Sequence, residues 1–185
     1  MYKLCKTEQS SQRQRQLEQG LLQLMLVKRY EEISISELCE RMDLPRKSFY
    51  RYFSGKDGAL FALLDHTMLD FYEEGLRSPD AGTALGDLAH FFMFWYEKRT
   101  LLDALQRSGL SGILVERAIE LARRERLMPD RIKGWSADRQ DLALSFALCG
   151  LMSMILQWHH QGYPIPPSEI TKLAAEMLTR PLIEL

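Results

Sequence analysis

The chain has 185 residues, 46% of them hydrophobic and 26% charged, with a formal net charge of −1. This composition excludes a disordered chain, and the length fits one ordinary domain or two small ones that share a core. Total charge alone suggests no polyanionic partner, but its distribution does. Residues 1–56 contain 11 Lys/Arg against 7 Asp/Glu, whereas residues 57–185 contain 13 against 18. The N-terminal part is therefore the candidate for meeting an anion.

The cysteines and the N-terminus indicate a cytoplasmic protein. Cys5, Cys39 and Cys149 lie far apart, and no CxxC or Cys/His ligand spacing occurs. Three cysteines also argue against a disulfide framework. The first residues, MYKLCKTEQSSQRQRQ, lack the apolar core of a signal peptide, so we expect none. We also expect no cofactor.

Apolar residues recur at helical spacing almost throughout the chain, and no sustained alternation with a period of two appears. This pattern predicts an all-α fold. The first helix is predicted to begin at Ser10 or Ser11, either of which can cap it, and to reach about Lys28. Its apolar stripe consists of Leu17, Leu21, Leu24 and Met25.

Two short helices with a bend between them are predicted next. Ser34 begins the second helix, and Glu37 follows at the spacing of a capping box. After a bend at residues 43–45, a third helix begins near Pro45, a residue suited to a first turn. This arrangement predicts a helix-turn-helix unit, whose second helix enters the major groove of DNA. The inward positions of the pair are all apolar: Leu38, Cys39, Met42, Leu44, Phe49 and Phe53.

The outward positions of the third helix carry side chains that form hydrogen bonds. Arginine and lysine donate to guanine edges, and Tyr, Ser and Lys grip phosphates. Lys56 lies just before the predicted fourth helix, where the dipole disfavours a cation unless an anion binds, so we predict a phosphate contact. A solvated polar face is the alternative, but the bend, the tyrosine pair and the charge asymmetry coincide. The predicted DNA-facing residues of this helix are Arg46, Lys47, Ser48, Tyr50, Arg51 and Tyr52.

The remaining chain is predicted to form a helical bundle. A fourth helix runs from about Asp57, and RSPDAGT is the clearest linker. We therefore assign residues 1–56 to DNA binding and residues 57–185 to ligand binding and dimerisation. The later helices are predicted at about 84–98, 101–107, 112–126, 138–161 and 168–182.

Aromatic and methionine side chains in this bundle are candidates for a ligand pocket. The segment HFFMFWYEKR places apolar side chains all round one helix, which predicts that other helices surround it. An apolar cavity for an apolar or aromatic ligand is one interpretation, and plain core packing is the other. The histidines have no metal-ligand spacing, so we expect no metal. The predicted pocket residues are Phe92, Trp95, Met152, Met154 and Trp158.

The last two long helices are predicted to form a dimer interface. The stretch from Leu142 to Trp158 is apolar on more than one face but falls just short of a membrane span, which favours a buried helix. Two helices from each subunit would make a four-helix bundle and set two recognition helices about 34 Å apart. A purely intramolecular core is the alternative. The predicted interface residues are Ala143, Ala147, Gly150, Leu173 and Met177.

The stretch ISISELCERMDL, followed by SFYRYFSGKDGAL and preceded by a long first helix, resembles the DNA-binding region of the tetracycline-repressor (TetR) family of bacterial regulators. The specific part is the spacing of Tyr50, Tyr52, Phe53 and Lys56, and the resemblance covers roughly residues 10–65. Two positions depart from the family pattern: Asp43 stands where Gly is usual, and Pro45 where a capping Ser or Thr is common.

The resemblance implies a role for each matched residue. Ser34 and Ser36 would touch phosphate at the start of the second helix. The bases would be faced by Arg46, Lys47 and Ser48, and the DNA backbone would be held by Tyr50, Tyr52 and Lys56. It also implies an inducer site in the C-terminal bundle.

The leading hypothesis is a ligand-responsive homodimeric regulator that binds a pseudo-palindromic operator on double-stranded DNA. A repressor is favoured, but the sequence does not separate a repressor from an activator. The first alternative is a constitutive regulator without a small-molecule site, which is favoured if side chains alone fill the region of Phe92, Trp95 and Trp158. The second alternative is an all-α enzyme or cofactor carrier. It predicts a polar catalytic cluster, which the sequence does not contain.

Overall fold

A computed structural model describes Tyr2, Cys5 and residues 7–127 and 132–179. In these residues the regular structure is helical apart from one isolated antiparallel bridge between Tyr2 and Phe53, which confirms the all-α prediction. A short 3-10 helix, Tyr30–Glu32, follows the first α-helix. The α-helices are α1 (Glu8–Met25), α2 (Ile35–Arg41), α3 (Arg46–Tyr52), α4 (Lys56–Leu76), α5 (Ala84–Glu97), α6 (Arg99–Arg107), α7 (Ser111–Arg124), α8 (Ala137–His160) and α9 (Pro167–Thr179).

The first helix begins earlier than predicted. Thr7, not Ser10 or Ser11, is its N-cap, and the Thr7 hydroxyl accepts a hydrogen bond from the Ser10 amide at 3.3 Å. The helix ends at Met25, short of Lys28, because the chain then turns into the 3-10 helix. Its predicted apolar stripe is confirmed, since all four side chains are buried.

The chain forms two compact units. Unit 1 comprises the described residues of Met1–Thr67 and Asp103–Arg117, and unit 2 those of Met68–Leu102 and Ala118–Leu185. Helices α4, α6 and α7 each contribute residues to both units. The division of roles between residues 1–56 and 57–185 stays a prediction.

In unit 1, α1 packs against α2, and α2 packs against α3. The contact of α1 with α2 is close at Gly20, where an added Cβ would run into the side chain of Met42 and lie 3.1 Å from Leu38. Two buried carboxylates of this unit are paired. The carboxylate of Glu18 meets His66 Nδ1 at 2.9 and 3.0 Å, and the carboxylate of Asp65 meets Arg117.

In unit 2, α5 packs against α9 and α8. The predicted linker separates α4 from α5, and Thr83 ends it as the N-cap of α5. The crowded aromatic segment is buried as predicted, except that Met93 is half exposed. The last helix is described to Thr179, and the part predicted to reach residue 182 lies outside the described residues.

Candidate nucleic-acid interface

A tight bend joins α2 to α3 in unit 1. Asp43 adopts φ 50°, in the left-handed region that Asp tolerates better than most residues, so the bend forms without a glycine. The Leu44 amide donates to the Cys39 carbonyl at 2.9 Å and closes the bend. Pro45 is the N-cap of α3 and provides no side-chain cap, while the Ser48 amide donates to its carbonyl at 2.8 Å.

The inward face of the pair is apolar as predicted. Leu38, Cys39, Phe49 and Phe53 are each at most 2% exposed, and Met42 and Leu44 are half-buried. The rings of Phe49 and Phe53 lie 5.1 Å apart and anchor the end of the recognition helix. Because this face is packed, α3 is held at a fixed angle to α2.

The outward face of α3 presents cations and a phenol to solvent. Arg46, Lys47, Tyr50 and Arg51 are exposed, and Ser48 is half-buried. The Arg46 guanidinium donates to the Tyr50 hydroxyl at 3.5 Å, one helical turn away. In this unit the exposed surface of a short helix thus concentrates three positive charges. Their contacts with DNA stay predictions.

Ser34 caps α2 as predicted. Its hydroxyl accepts a hydrogen bond from the Glu37 amide at 3.1 Å. Instead of turning back to close a capping box, the Glu37 carboxylate pairs with Lys28. Ser34 is exposed and Ser36 is half-buried, so both lie at the accessible start of α2.

Tyr52 does not lie on the outward face, contrary to the prediction. It is only 4% exposed, and its ring lies 6.2 Å from that of Phe53. The reason is helical spacing, since Phe49, Tyr52 and Phe53 stand at i, i+3 and i+4 and share one face. The ring of Tyr52 therefore packs inward, and a contact of its hydroxyl with the DNA backbone stays a prediction.

The ammonium group of Lys56 forms hydrogen bonds within the protein that the sequence did not predict, and its contact with a phosphate stays a prediction. It donates to the carbonyl oxygens of Tyr30 (2.6 Å), Ile33 (2.8 Å) and Glu31 (3.3 Å). It also lies 4.3 Å from the ring centroid of Tyr30. These contacts join the start of α4 to the connection between α1 and α2.

Tyr30 is a residue that sequence reasoning missed. Its amide donates to the Ser108 hydroxyl at 3.0 Å, and its own hydroxyl donates to Asp57 Oδ1 at 2.6 Å. Burial raises the pKa of Tyr30, and the hydrogen bond to Asp57 raises it further. No local pattern could reveal these contacts, because Tyr30 and Ser108 are far apart in sequence.

Two further groups near the bend have shifted pKa values. Burial raises the pKa of the Cys39 thiol, and the positive charge of Arg46 opposes this shift in part. The hydrogen bond from Lys28 lowers the pKa of Glu37. The Cys39 thiol thus stays neutral within the core of the helix pair.

The residues predicted to line a ligand pocket in unit 2 are packed against other side chains. Phe92, Trp95, Met152 and Trp158 are each at most 3% exposed, and Met154 is half-buried. Trp158 donates from its indole nitrogen to the Ile165 carbonyl at 2.9 Å. Its ring meets Phe92 at 6.2 Å, Tyr96 at 5.6 Å and Tyr163 at 4.7 Å. Their role as pocket residues stays a prediction.

Helix α8 exposes apolar side chains in the single chain. Leu142 and Phe146 are 73% and 79% exposed, and Cys149 and Gly150 follow on the same stripe. The helix is long and apolar enough to cross a membrane, with a mean hydropathy of 1.5, yet only 28% of that window is buried. The expectation of a buried helix is therefore not met within one chain. Ala143 and Ala147 are half-buried, whereas Leu173 on α9 is 43% exposed and Met177 half-buried.

Three histidines have partners within the described residues. His66 pairs with Glu18, His90 Nε2 lies 3.0 Å from the Phe71 carbonyl, and the His159 ring lies 5.6 Å from that of Tyr163. These contacts show packing and hydrogen-bonding roles for these three histidines.

The fold and the bend together define a class: an all-α protein with a helix-turn-helix unit near its N-terminus. Solved structures of this class match nearly the whole chain. A TetR-family transcriptional regulator from Streptomyces coelicolor is 24% identical, with a TM-score of 0.58 and coverage of 91% of this chain and 82% of its own. The TetR family repressor AlkX from a Dietzia species is 22% identical, with a TM-score of 0.54 and coverage of 90% and 95%.

A protein from Listeria innocua has a TM-score of 0.74 at 15% identity, with 96% of each chain covered. No family model matches the sequence, and no curated protein matches it. The structural matches to TetR-family regulators nevertheless show that the chain has the TetR-type fold. This result confirms the fold that the resemblance of its N-terminal motifs implied.

Proposed function

We propose that this protein is a DNA-binding transcription regulator that reads a pseudo-palindromic operator as a homodimer. The observation that carries the proposal is the outward face of α3, where Arg46, Lys47 and Arg51 are exposed on a helix anchored by buried Phe49. A helix held in this way can enter the major groove with its cations at guanine edges and phosphates. The TetR-type fold supports the same role.

The exposed apolar stripe of α8 supports the homodimer. Leu142 and Phe146 leave large apolar surface in contact with water, and burial of apolar surface is favourable by roughly 25 cal/mol per Å². Exposed stripes of this kind mark interaction sites. A second copy that packs its own α8 and α9 on this face would cover Phe146, Gly150 and Leu173. A cytoplasmic location follows from the role and is part of the proposal.

The direction of regulation and the effector are finer parts of the proposal. AlkX, one of the structural neighbours, is a repressor implicated in the biodegradation of n-alkanes. By analogy we propose repression, with an apolar or aromatic effector bound in unit 2. An effector acts only through a difference in affinity between two states of the dimer.

A constitutive regulator without an effector is the second candidate. The observation that favours it is the packing of Phe92 and Trp158 against each other and against Tyr163, which leaves the predicted pocket residues buried among side chains. An effector would have to displace some of these rings. Thermal-shift screening with apolar and aromatic compounds separates the candidates, because only an effector site gives a saturable rise in melting temperature together with altered DNA binding.

The test of DNA binding is selection of duplexes from a random pool by the purified chain. We expect enrichment of one sequence with two related half-sites whose centres lie about one helical turn or slightly more apart. A triple variant, Arg46→Ala/Lys47→Ala/Arg51→Ala, is the control and should enrich nothing. A wild-type chain that enriches no sequence would rule out the proposed function.

A further inference from the structure

Helices α2 and α3 with the bend between them form the reading head, and Lys56 contacts the segment that leads into it. We propose, on the basis of the function proposed above, that Lys56 is a positioning residue for DNA recognition. Its ammonium group fixes the segment that leads into α2 and makes no phosphate contact. The affinity for the operator should therefore depend on the shape of the Lys56 side chain and on the N–H donors of its ammonium group, and not on its positive charge alone.

The geometry of the ammonium group carries the first step. A lysine ammonium has three N–H donors and no acceptor. Three carbonyl oxygens, from Tyr30, Glu31 and Ile33, lie within 3.3 Å of Nζ, with the shortest contact at 2.6 Å. A phosphate that binds Lys56 would compete with these carbonyls for the three N–H donors of the ammonium group.

The location of these carbonyls explains why a cation binds there. They lie in and just beyond the 3-10 helix Tyr30–Glu32, where terminal carbonyl oxygens carry partial negative charge, and the Tyr30 carbonyl also accepts from the Ile33 amide at 3.2 Å. Lysine side chains commonly bind such terminal carbonyls. The Tyr30 ring adds a cation–π contact at 4.3 Å. The site therefore satisfies the helix end and the ammonium group at the same time.

The contacts of the Lys56 ammonium group with the three carbonyls form a clamp, and its effect follows from the position of Lys56 in the chain. Ile33 immediately precedes Ser34, the N-cap of α2, whereas Lys56 begins α4 just after the turn that follows α3. One side chain thus joins the entry of α2 to the exit of α3. Asp57 adds a second link from the same turn of α4, because it accepts the Tyr30 hydroxyl hydrogen bond. The angle of the reading head depends on this junction.

Two substitutions separate a clamp from a phosphate contact. Lys56→Met keeps most of the aliphatic stem but removes the charge and the donors. Lys56→Arg keeps the charge, and a phosphate contact tolerates arginine well. A planar guanidinium cannot replace a compact ammonium among three converging carbonyls. The clamp therefore predicts that arginine fails to restore operator binding.

The experiment measures the affinity of each folded variant for two probes over a range of salt concentrations. The probes are the duplex selected by the wild-type chain and a scrambled duplex of the same composition. Lys47→Met is the positive control for a DNA-contacting lysine. Lys98→Met is the negative control, because it removes one half-buried charge between α5 and α6, far along the chain from the reading head. Hydrogen exchange at the amides of residues 34–38 reports the order of the start of α2 in each variant.

For Lys56→Met and Lys56→Arg we expect at least about a tenfold loss on the selected duplex and less than about twofold on the scrambled one, since misaligned base contacts are lost first. The slope of log K against log salt should stay at the wild-type value, whereas Lys47→Met should reduce it by about 0.9. Hydrogen exchange at residues 34–38 should become faster in both Lys56 variants and stay unchanged in Lys98→Met.

Three results would overturn the proposal. They are a slope reduced by about 0.9 in Lys56→Met, full rescue by Lys56→Arg, and wild-type affinity together with wild-type exchange. If Lys56→Met does not fold, Lys56→Arg decides by the same criteria. If the wild-type chain selects no duplex, the proposed function fails, and the clamp is then judged by the hydrogen exchange alone.

Discussion

Arg117 on α7 forms a bidentate ion pair with Asp65 on α4, with Nη2 at 2.7 and 2.6 Å from the two carboxylate oxygens and Nε at 2.9 Å from one of them. The Asp65 side chain has no exposed surface, and that of Arg117 is 11% exposed. Tyr2 also donates its hydroxyl to Asp65 at 2.7 Å. Both partners belong to unit 1, so the pair ties α7 to the unit that carries the reading head.

We expect Arg117→Met to destabilise the protein by about 3–5 kcal/mol, because it leaves a buried carboxylate without its counter-charge. Arg123→Met is the matched control. Arg123 pairs with Asp141 at 3.3 Å, and both side chains are about half exposed, so its loss should cost less than about 1 kcal/mol. Urea denaturation at one protein concentration measures the free energy of unfolding of both variants and of the wild type. Equal costs for the two variants would contradict the assignment of Asp65–Arg117 as a buried pair.

Ser108→Ala should destabilise unit 1 by about 1–3 kcal/mol, because the Tyr30 amide then loses its acceptor in a buried site. The control is Ser145→Ala, since the Ser145 hydroxyl accepts from Arg123 at an exposed position. Urea denaturation again measures the loss of stability in each of the two variants. If the variants were equally stable, the hydrogen bond between Tyr30 and Ser108 would contribute nothing measurable.

Phe146→Arg should convert the proposed dimer to a monomer, because it places a charge in the apolar stripe of α8. Leu76→Arg is the control for the substitution itself, since Leu76 at the end of α4 is 83% exposed and Phe146 is 79% exposed. Light scattering coupled to size-exclusion chromatography measures the mass of each. A wild-type chain that is already monomeric, or a dimeric Phe146→Arg variant, would contradict the proposed interface.

Thiol labelling provides an independent check on the same interface. Cys149 is exposed in the single chain and lies next to Gly150 on α8. In the proposed dimer its labelling should slow as protein concentration rises, and Phe146→Arg should abolish this protection. Labelling that is equally fast at all concentrations would place Cys149 outside the interface.

Arg46→Ala should cost about 1–3 kcal/mol in operator binding and relax the preference at one base position, as expected for an arginine that reads guanine. Competition binding against single-base variants of the selected duplex measures both effects. An equal loss of affinity on scrambled DNA would instead identify Arg46 as a contact to the DNA backbone.

The start of α2 should weaken at acid pH through Glu37. Because the hydrogen bond from Lys28 lowers the pKa of Glu37 in the folded state, the pairing stabilises the protein at pH values above the ordinary glutamate pKa of about 4.3. That contribution is lost as the pH falls through the lowered folded-state pKa. The stability difference between wild type and Glu37→Gln should therefore be present at neutral pH and disappear in acid. A difference that persists unchanged at the lowest pH would exclude this cause.

Local patterns predicted the helices and most of the reading head. Helical spacing placed the buried side chains of α1 and the inward Phe49 and Phe53, and capping chemistry placed Ser34, because these features depend on neighbours within one or two turns. The same spacing argument, applied more strictly, would have placed Tyr52 on the inward face with Phe49 and Phe53. The prediction for Tyr52 was wrong about which face of the short helix α3 this side chain occupies.

The amino-acid order alone predicts the all-α class, the bend at Asp43 and the exposed cations of α3, because each follows from short-range periodicity and backbone preference. Three features required the folded chain: Lys56 binds carbonyls near Tyr30, Ser108 accepts a hydrogen bond from the Tyr30 amide, and Phe146 remains uncovered in a single chain. These outcomes depend on which distant residues meet when the helices pack. The ammonium of Lys56 can donate to a phosphate or to a carbonyl, so its partner depends on which acceptors the fold brings within reach.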